Sequence, residues 1–331
     1  MKGNSNPAVY AALIGNILVA ITKAAAALWT GSSAMLSEAV HSVVDTGNEV
    51  LLLHGMRRAR RRPDVGHPLG YGRELYFWSF IVALLVFALG AGVSIFQGIR
   101  HILNPQPIED PVVSYIVLGL AAVFEGGSWW VSFRQFNAVR GELSFYRAFR
   151  RSKDPPTFVV LFEDTAALAG IAIAALGILA ATQLNEPIYD GIASILIGLL
   201  LAAVAVLLAR ESKSLLIGER ADPRLADEIL AMVAAESCVQ QAFGVLSMQL
   251  APDQIAVAIS LKFQDELRTP EIEQKIYDLE NRLRAERPEI VALFVKPQTE
   301  RAYRELVRRR FGDSPSASGQ PMTDDRDRKP N

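Results

Sequence analysis

Residues 31–50 read GSSAMLSEAVHSVVDTGNEV, and this stretch opens an apolar segment that runs from 33 to 56. His41 and Asp45 lie four residues apart within it, so a helix brings an imidazole and a carboxylate together one turn apart on one face. Glu38 and Glu49 flank the pair. Polar groups of this kind are ordinary on a wet surface. They are conspicuous here because the neighbouring segments are too apolar to be wet.

Scanning outward with a window of about 19 residues, the length that spans a hydrocarbon core of about 30 Å, finds apolar stretches near 8–29, 33–56, 75–99, 112–136, 157–182 and 188–210. Six membrane spans are expected. The chain's mean hydropathy of +0.21 and 50% hydrophobic content agree, being too apolar for a soluble protein of 331 residues. Turn-forming sequences separate the stretches: TGSS near 30, RRARRRPDVGHP after 56, NPQPIEDP after 103, KDPP at 153–156 and QLNEP at 183–187. The N-terminus enters its apolar stretch without a small-residue cleavage signature, so the first helix is expected to remain in the mature chain.

Cations set the orientation. Arg57, Arg58, Arg60, Arg61 and Arg62 follow the second span, Arg140, Arg147, Arg150, Arg151 and Lys153 follow the fourth, and Arg210 and Lys213 follow the last. Arg100 at a helix end is the exception in the alternate loops. This positive-inside asymmetry places both termini in the cytoplasm. No targeting segment stands out, and a multi-pass protein of a bacterial-type inner membrane is the default expectation.

From about 215 the pattern becomes that of a soluble domain. DPRLADEILAMVAA reads as an amphipathic helix and VLSMQLAPDQIAVAISLKFQ as two strands around a turn. TPEIEQKIYDLENRLRAERPEI reads as a second helix capped by Thr269, and VALFVKPQ as a third strand. The expected organisation is a membrane domain over 1–214, a helix–strand–strand–helix–strand domain over 215–300, and a largely disordered tail over 301–331.

An ionisable side chain at mid-membrane costs at least about 2.5–3.5 kcal/mol, so each one needs a reason. The fifth span adds Glu163 and Asp164 in VVLFEDTAALAG. Adjacent helical residues point about 100° apart, so only one of them can share the direction of His41 and Asp45. Imidazole and carboxylate are ligands for zinc, and equally for manganese, iron or cobalt. The competing reading is a structural hydrogen bond between helices, which two acidic clusters in separate spans make less economical. Asn16, Glu125 and Asp190 read better as packing or capping groups, and His54 and His101 as interfacial residues.

At these residues the chain resembles the cation diffusion facilitators, a family with six spans, a ferredoxin-like cytoplasmic domain and a homodimeric assembly. The resemblance covers roughly 8–300 and is carried by GSSAMLSEAVHSVVDTGNE, by HPLGYGRE at 67–74 and by YDGIASILIGLLLA at 189–202. It implies a transport site built from H/D-x-x-x-D in the second span and H-x-x-x-D in the fifth. His41 and Asp45 match the first motif. Gly170 aligns Asp164 with the aspartate of the second, and Val160 then stands where the family has histidine. Valine cannot ligate. The matched ligands are His41, Asp45 and Asp164, to be completed by water, by Glu163 after a local helix adjustment, or by another polar residue. Asp64 and His67 match an accessory cytoplasmic metal site, with Tyr71 in the place of a further histidine; the competing reading of that loop is an Arg-rich topology signal.

The implied function is secondary-active export of a divalent transition metal, zinc first, in exchange for protons. Manganese, iron or cobalt is the alternative cargo, and a non-transporting membrane scaffold the alternative role. No cofactor is called for beyond the transported ion and its counter-ion protons. The expected partners are the lipid bilayer, a second copy of the chain and the metal. Nucleic acid is not among them, since no basic tract is interleaved with aromatics. The single cysteine, Cys238, excludes an internal disulfide and a cysteine-rich zinc cluster. The chain lacks a hydrolase elbow, a phosphate loop, a dinucleotide fingerprint and a zinc protease motif, so it does not read as an enzyme.

Overall fold

The computed structural model describes residues 7–141, 144–145, 148–149 and 152–312. Arg147, Arg150 and Arg151 of the cation-rich fourth loop, and residues 313–331 of the expected disordered tail, lie outside the described residues. The first of two compact units holds the long helices α1 (Pro7–Thr30), α2 (Ser33–Ala59), α3 (Glu74–Leu103), α4 (Pro111–Arg140), α5 (Pro155–Gln183) and α6 (Ile188–Ile217). Prolines open α1, α4 and α5, where a missing N–H leaves no bond unmade. Gly31, at φ 68°, takes the left-handed turn between α1 and α2.

By length and apolarity α3, α5, α6 and the stretch Pro111–Ala138 of α4 are each sufficient to cross a membrane, and α1 is apolar over Asn16–Thr30. α2 is different. Its polar residues Ser37, Glu38, His41, Ser42 and Asn48 are buried, whereas its Val43 and Val50 are exposed. Packed among α1, α3 and α5, it buries these polar side chains together with Ala34, Met35, Val44 and Leu52. A core of alanines and branched residues, including Ala34, Leu118, Ala174, Ile197 and Leu201, joins the helices.

Two close approaches fix the frame. Gly98 of α3 and Gly191 of α6 meet backbone to backbone: a Cβ on Gly98 would stand 2.6 Å from the Gly191 carbonyl oxygen, and one on Gly198 would stand 2.6 Å from Ile95 Cγ1. Gly191 and Gly198, seven residues apart, lie on one face of α6, which accounts for the small residues of that span. α3 also carries a π-helical turn at Val86–Ala91, against which Leu201 packs at Gly90. The other anchor is Asp190. Its carboxylate accepts from the backbone N–H groups of Ser33 and Ala34 and from the hydroxyls of Ser32 and Ser33, closing the N-terminus of α2.

The second unit comprises Arg62–Gly72 together with the chain from Ile217 onward. It contains α7 (Pro223–Ala234), β1 (Val239–Ala251), β2 (Gln254–Phe263), α8 (Thr269–Glu286), β3 (Ile290–Pro297) and α9 (Glu300–Phe311). The sheet order is β1-β2-β3, with β1 antiparallel and β3 parallel to β2. Ile229 and Val233 of α7 and Leu279 and Leu283 of α8 cover one face, over Val257, Ile259 and Leu261.

Three details depart from the sequence reading. The loop Arg62–Gly72 groups with the C-terminal unit and not with the helices it connects, because Gly72 nestles against Leu250 and Ala251, where a Cβ would be within 3 Å of both. α8 starts at Thr269 with Arg268 as its cap residue, and the Glu271 carboxylate accepts the Arg268 N–H at 2.7 Å. Residues 300–311 form a helix where disorder was expected. Thr299 caps α9, and Tyr303 stacks on Phe243 with ring centroids 5.3 Å apart, so one aromatic contact docks a helix whose charged residues face outward.

Candidate metal centre

α2 sets out its polar side chains at positions i, i+4 and i+7. His41 Nδ1 lies 3.2 Å from Asp45 Oδ1, with the imidazole 1% exposed and the carboxylate 20%. One turn on, Asn48 is fully buried and donates its Nδ2 to Glu163 Oε1 of α5 at 2.8 Å. Two buried acceptor-capable atoms along this stripe, His41 Nε2 and Asn48 Oδ1, have no hydrogen-bond partner among the described residues, and Asp45 Oδ1 faces His41 Nδ1. Leaving such an atom unpaired costs about 1–3 kcal/mol.

The adjacent acids of α5 divide their directions. Glu163 is buried against Asn48, whereas Asp164 turns to α4 and accepts from Ser128 Oγ at 2.9 Å and Ser132 Oγ at 3.4 Å. The structure therefore brings Glu163 to the His41–Asp45 stripe and seats Asp164 on serines. Asp45 remains within electrostatic reach of both acids. Counting only His, Cys, Asp and Glu, no group of three or more poised for a metal ion is found among the described residues. Asn48 is what connects the two pairs. As an amide it carries no charge to mark it in an apolar window, and the only sequence signal was its place one turn beyond Asp45.

A second residue escaped notice for the opposite reason. Lys23 of α1 is a full charge inside an apolar helix, the kind of residue that demands a reason, and it is 0% exposed. Its ammonium lies 3.2 Å from Glu38 and 3.8 Å from Glu125. Asn16 donates to Glu49 at 3.1 Å, joining α1 to α2. His54 packs edge-on against Trp78, and His101 is buried with Nε2 3.8 Å from Asp190, a more interior position than the interfacial one expected.

In the Arg62–Gly72 segment, Asp64 and His67 are side by side and exposed, with Nδ1 3.4 Å from Oδ1. The Tyr71 hydroxyl donates to one Asp64 oxygen at 2.6 Å and the His67 backbone N–H to the other at 2.7 Å. These bonds hold the Asp64 carboxyl below the usual carboxylate range, with the tyrosine hydroxyl the larger cause. In the C-terminal unit Cys238 is a buried free thiol.

Long apolar helices enclosing a buried polar stripe define a membrane protein. The cation efflux transmembrane domain matches residues 9–217, and the chain belongs to this family, the cation diffusion facilitators. The chain is 34% identical over 272 residues to the proton-coupled zinc antiporter SLC30A9, mitochondrial, of Xenopus laevis, a match that covers 81% of this chain and 48% of that protein. It is 33% identical over 267 residues to metal tolerance protein C4 of Arabidopsis thaliana, covering 80% and 58% respectively. A cation-efflux pump, FieF of Escherichia fergusonii, is 30% identical over 150 residues, covering 44% and 49%. The chain spans about half the length of these relatives. The family is one of transporters, the fold is the six-helix and α+β arrangement expected for it, and the chain is an integral membrane protein.

Proposed function

We propose that the chain carries a divalent transition-metal ion, zinc first, out of the cytoplasm in exchange for protons, and that His41, Asp45, Asn48 and Glu163 hold the ion in passage. The observation that supports this reading is one buried polar stripe on α2, the His41–Asp45 pair with His41 Nε2 and Asn48 Oδ1 unpartnered among the described residues, and Asn48 bonded to the Glu163 carboxylate of α5. The printed names of the relatives, a proton-coupled zinc antiporter and a cation-efflux pump, point the same way.

The coupling is chemical competition. A metal needs the imidazole neutral and the carboxylates ionised, so loading expels protons and protonation expels metal. Alternating access would come from rocking one group of helices against another around the site, with proton entry on the far side favouring release. Glycine contacts between α3 and α6 suit such sliding. A second cargo reading follows from the donor set. One nitrogen and three oxygen donors form a harder site than two histidines would, and manganese, iron or cobalt is then the competing substrate.

The chain is proposed to act as a homodimer, with both termini cytoplasmic, in an inner membrane. Leu246, Ala258 and Phe294 align across β1, β2 and β3, and Leu246 and Phe294 are exposed, leaving an apolar row on the sheet for a second copy. Asp64 and His67, with Nδ1 3.4 Å from Oδ1 on an exposed loop, are proposed as an accessory metal site.

The test is a metal panel in proteoliposomes with an imposed proton gradient. The wild type should take up zinc with proton counterflow, and His41→Ala should abolish both. Uptake of no metal would return the chain to the scaffold reading.

A further inference from the structure

Lys23 is the feature of the membrane unit that a metal site does not require. It sits on α1 with no exposure, although a lysine's four-carbon stem normally lets the ammonium reach water. Its Nζ donates to Ser42 Oγ at 2.9 Å and to Glu38 Oε2 at 3.2 Å, both on α2, and faces Glu125 Oε1 of α4 at 3.8 Å. Glu38 Oε1 has no hydrogen-bond partner among the described residues, and it fills the space beside Gly170 of α5, where any Cβ would collide with it. Along α2, Glu38 precedes His41 by three residues and Ser42 follows it directly. The ammonium is therefore anchored within about one turn of the imidazole, and the two groups lie within electrostatic reach of each other.

We infer that Lys23 is a fixed counter-cation which opposes the transported ion and sets how readily it leaves. A carrier must hold its ion firmly enough to load and weakly enough to release. The acids around the site, Glu38, Asp45, Glu125, Glu163 and Asp164, would by themselves bias it towards retention. A tethered positive charge beside them offsets part of that attraction without occupying the ion's own ligands. This inference rests on the metal-site reading.

A purely structural role for Lys23, linking α1, α2 and α4, makes the opposite prediction. Losing a strut loosens the site and weakens binding, whereas losing a repelling charge strengthens it. The experiment measures Zn2+ affinity of the detergent-purified full chain by competition with a fluorescent chelator, together with maximal zinc flux in proteoliposomes. Lys23→Gln should bind Zn2+ about tenfold or more tightly and transport more slowly, and Lys23→Arg should resemble the wild type. Lys23→Gln combined with Glu38→Gln, which removes the charge pair together, should return affinity towards the wild type. Weaker or unchanged affinity in a monodisperse Lys23→Gln protein overturns the inference. Should that variant fail to fold, Lys23→Met, which also removes the charge, decides by the same readout, and weaker or unchanged binding overturns the inference. His41→Ala separates the two levels. Zn2+ binding that survives it defeats the metal site and this inference together; binding lost in His41→Ala but not tightened in Lys23→Gln defeats only the role of Lys23.

Discussion

Replacing Glu163 by Gln asks which acid of α5 serves the ion, and its magnitude follows from counting charge. A divalent ion held by Asp45 and Glu163, with neutral His41 and Asn48, is just neutralised. Glu163→Gln keeps the size of the side chain and leaves one net positive charge in a buried setting. Stranding a buried charge by removing its partner costs about 3–5 kcal/mol. At about 1.4 kcal/mol per factor of ten, that is a loss of about 10²-fold to 4 × 10³-fold in affinity. Asp164→Asn should cost less than about tenfold, because that carboxylate rests on Ser128 and Ser132. Chelator competition on the purified protein measures both affinities, and zinc flux in proteoliposomes should follow them. The reasoning is refuted if Asp164→Asn loses a hundredfold while Glu163→Gln stays within tenfold. α5 would then have to turn by about 100° to exchange the two directions.

Asp190→Ala should destabilise the membrane unit by about 2–6 kcal/mol, since the Ser33 and Ala34 N–H groups lose a buried acceptor at about 1–3 kcal/mol each. Unfolding in detergent micelles measures it, and a loss under about 1 kcal/mol would remove Asp190 as the anchor of α2. Gly98→Val should loosen the contact of α3 with α6 by at least about 1–3 kcal/mol, because its Cβ would meet the Gly191 carbonyl oxygen at 2.6 Å; an unchanged melting profile would mean the helices do not cross there. Tyr71→Phe should raise the Asp64 pKa towards the ordinary aspartate value, read by carboxyl-carbon NMR against pH. The sign follows from a lowered pKa: the Asp64 bonds stabilise the loop above the ordinary aspartate pKa of about 3.9 and are lost as pH falls through the lowered value. An Asp64 titration unmoved by Tyr71→Phe would contradict that bond.

Much of the molecule was legible because each signal was local. Runs of apolar residues long enough for a bilayer, turn residues between them and the change of composition near 215 mark out the helices and the α+β unit. Where legibility failed, one contact outweighed the local pattern. α9 is rich in charge and reads as disordered, yet the stacking of Tyr303 on Phe243 gives it a partner. The loop Arg62–Gly72 reads as a connection between spans, yet the room left by the absent side chain at Gly72 seats it against β1.

The sequence alone determined that this chain crosses a membrane, which family it belongs to, and that His41 and Asp45 share a helix face, since four-residue spacing permits nothing else on a helix. Only the tertiary structure shows where Glu163 and Asp164 point. Their 100° separation is a certainty of helix geometry, but the rotation of α5 about its axis is set by packing, here by the serines of α4 and by Asn48. The same holds for Lys23. Its presence in an apolar span is written in the sequence, while its partners, Glu38 and Glu125, lie 15 and 102 residues away and meet it only because α1, α2 and α4 pack together.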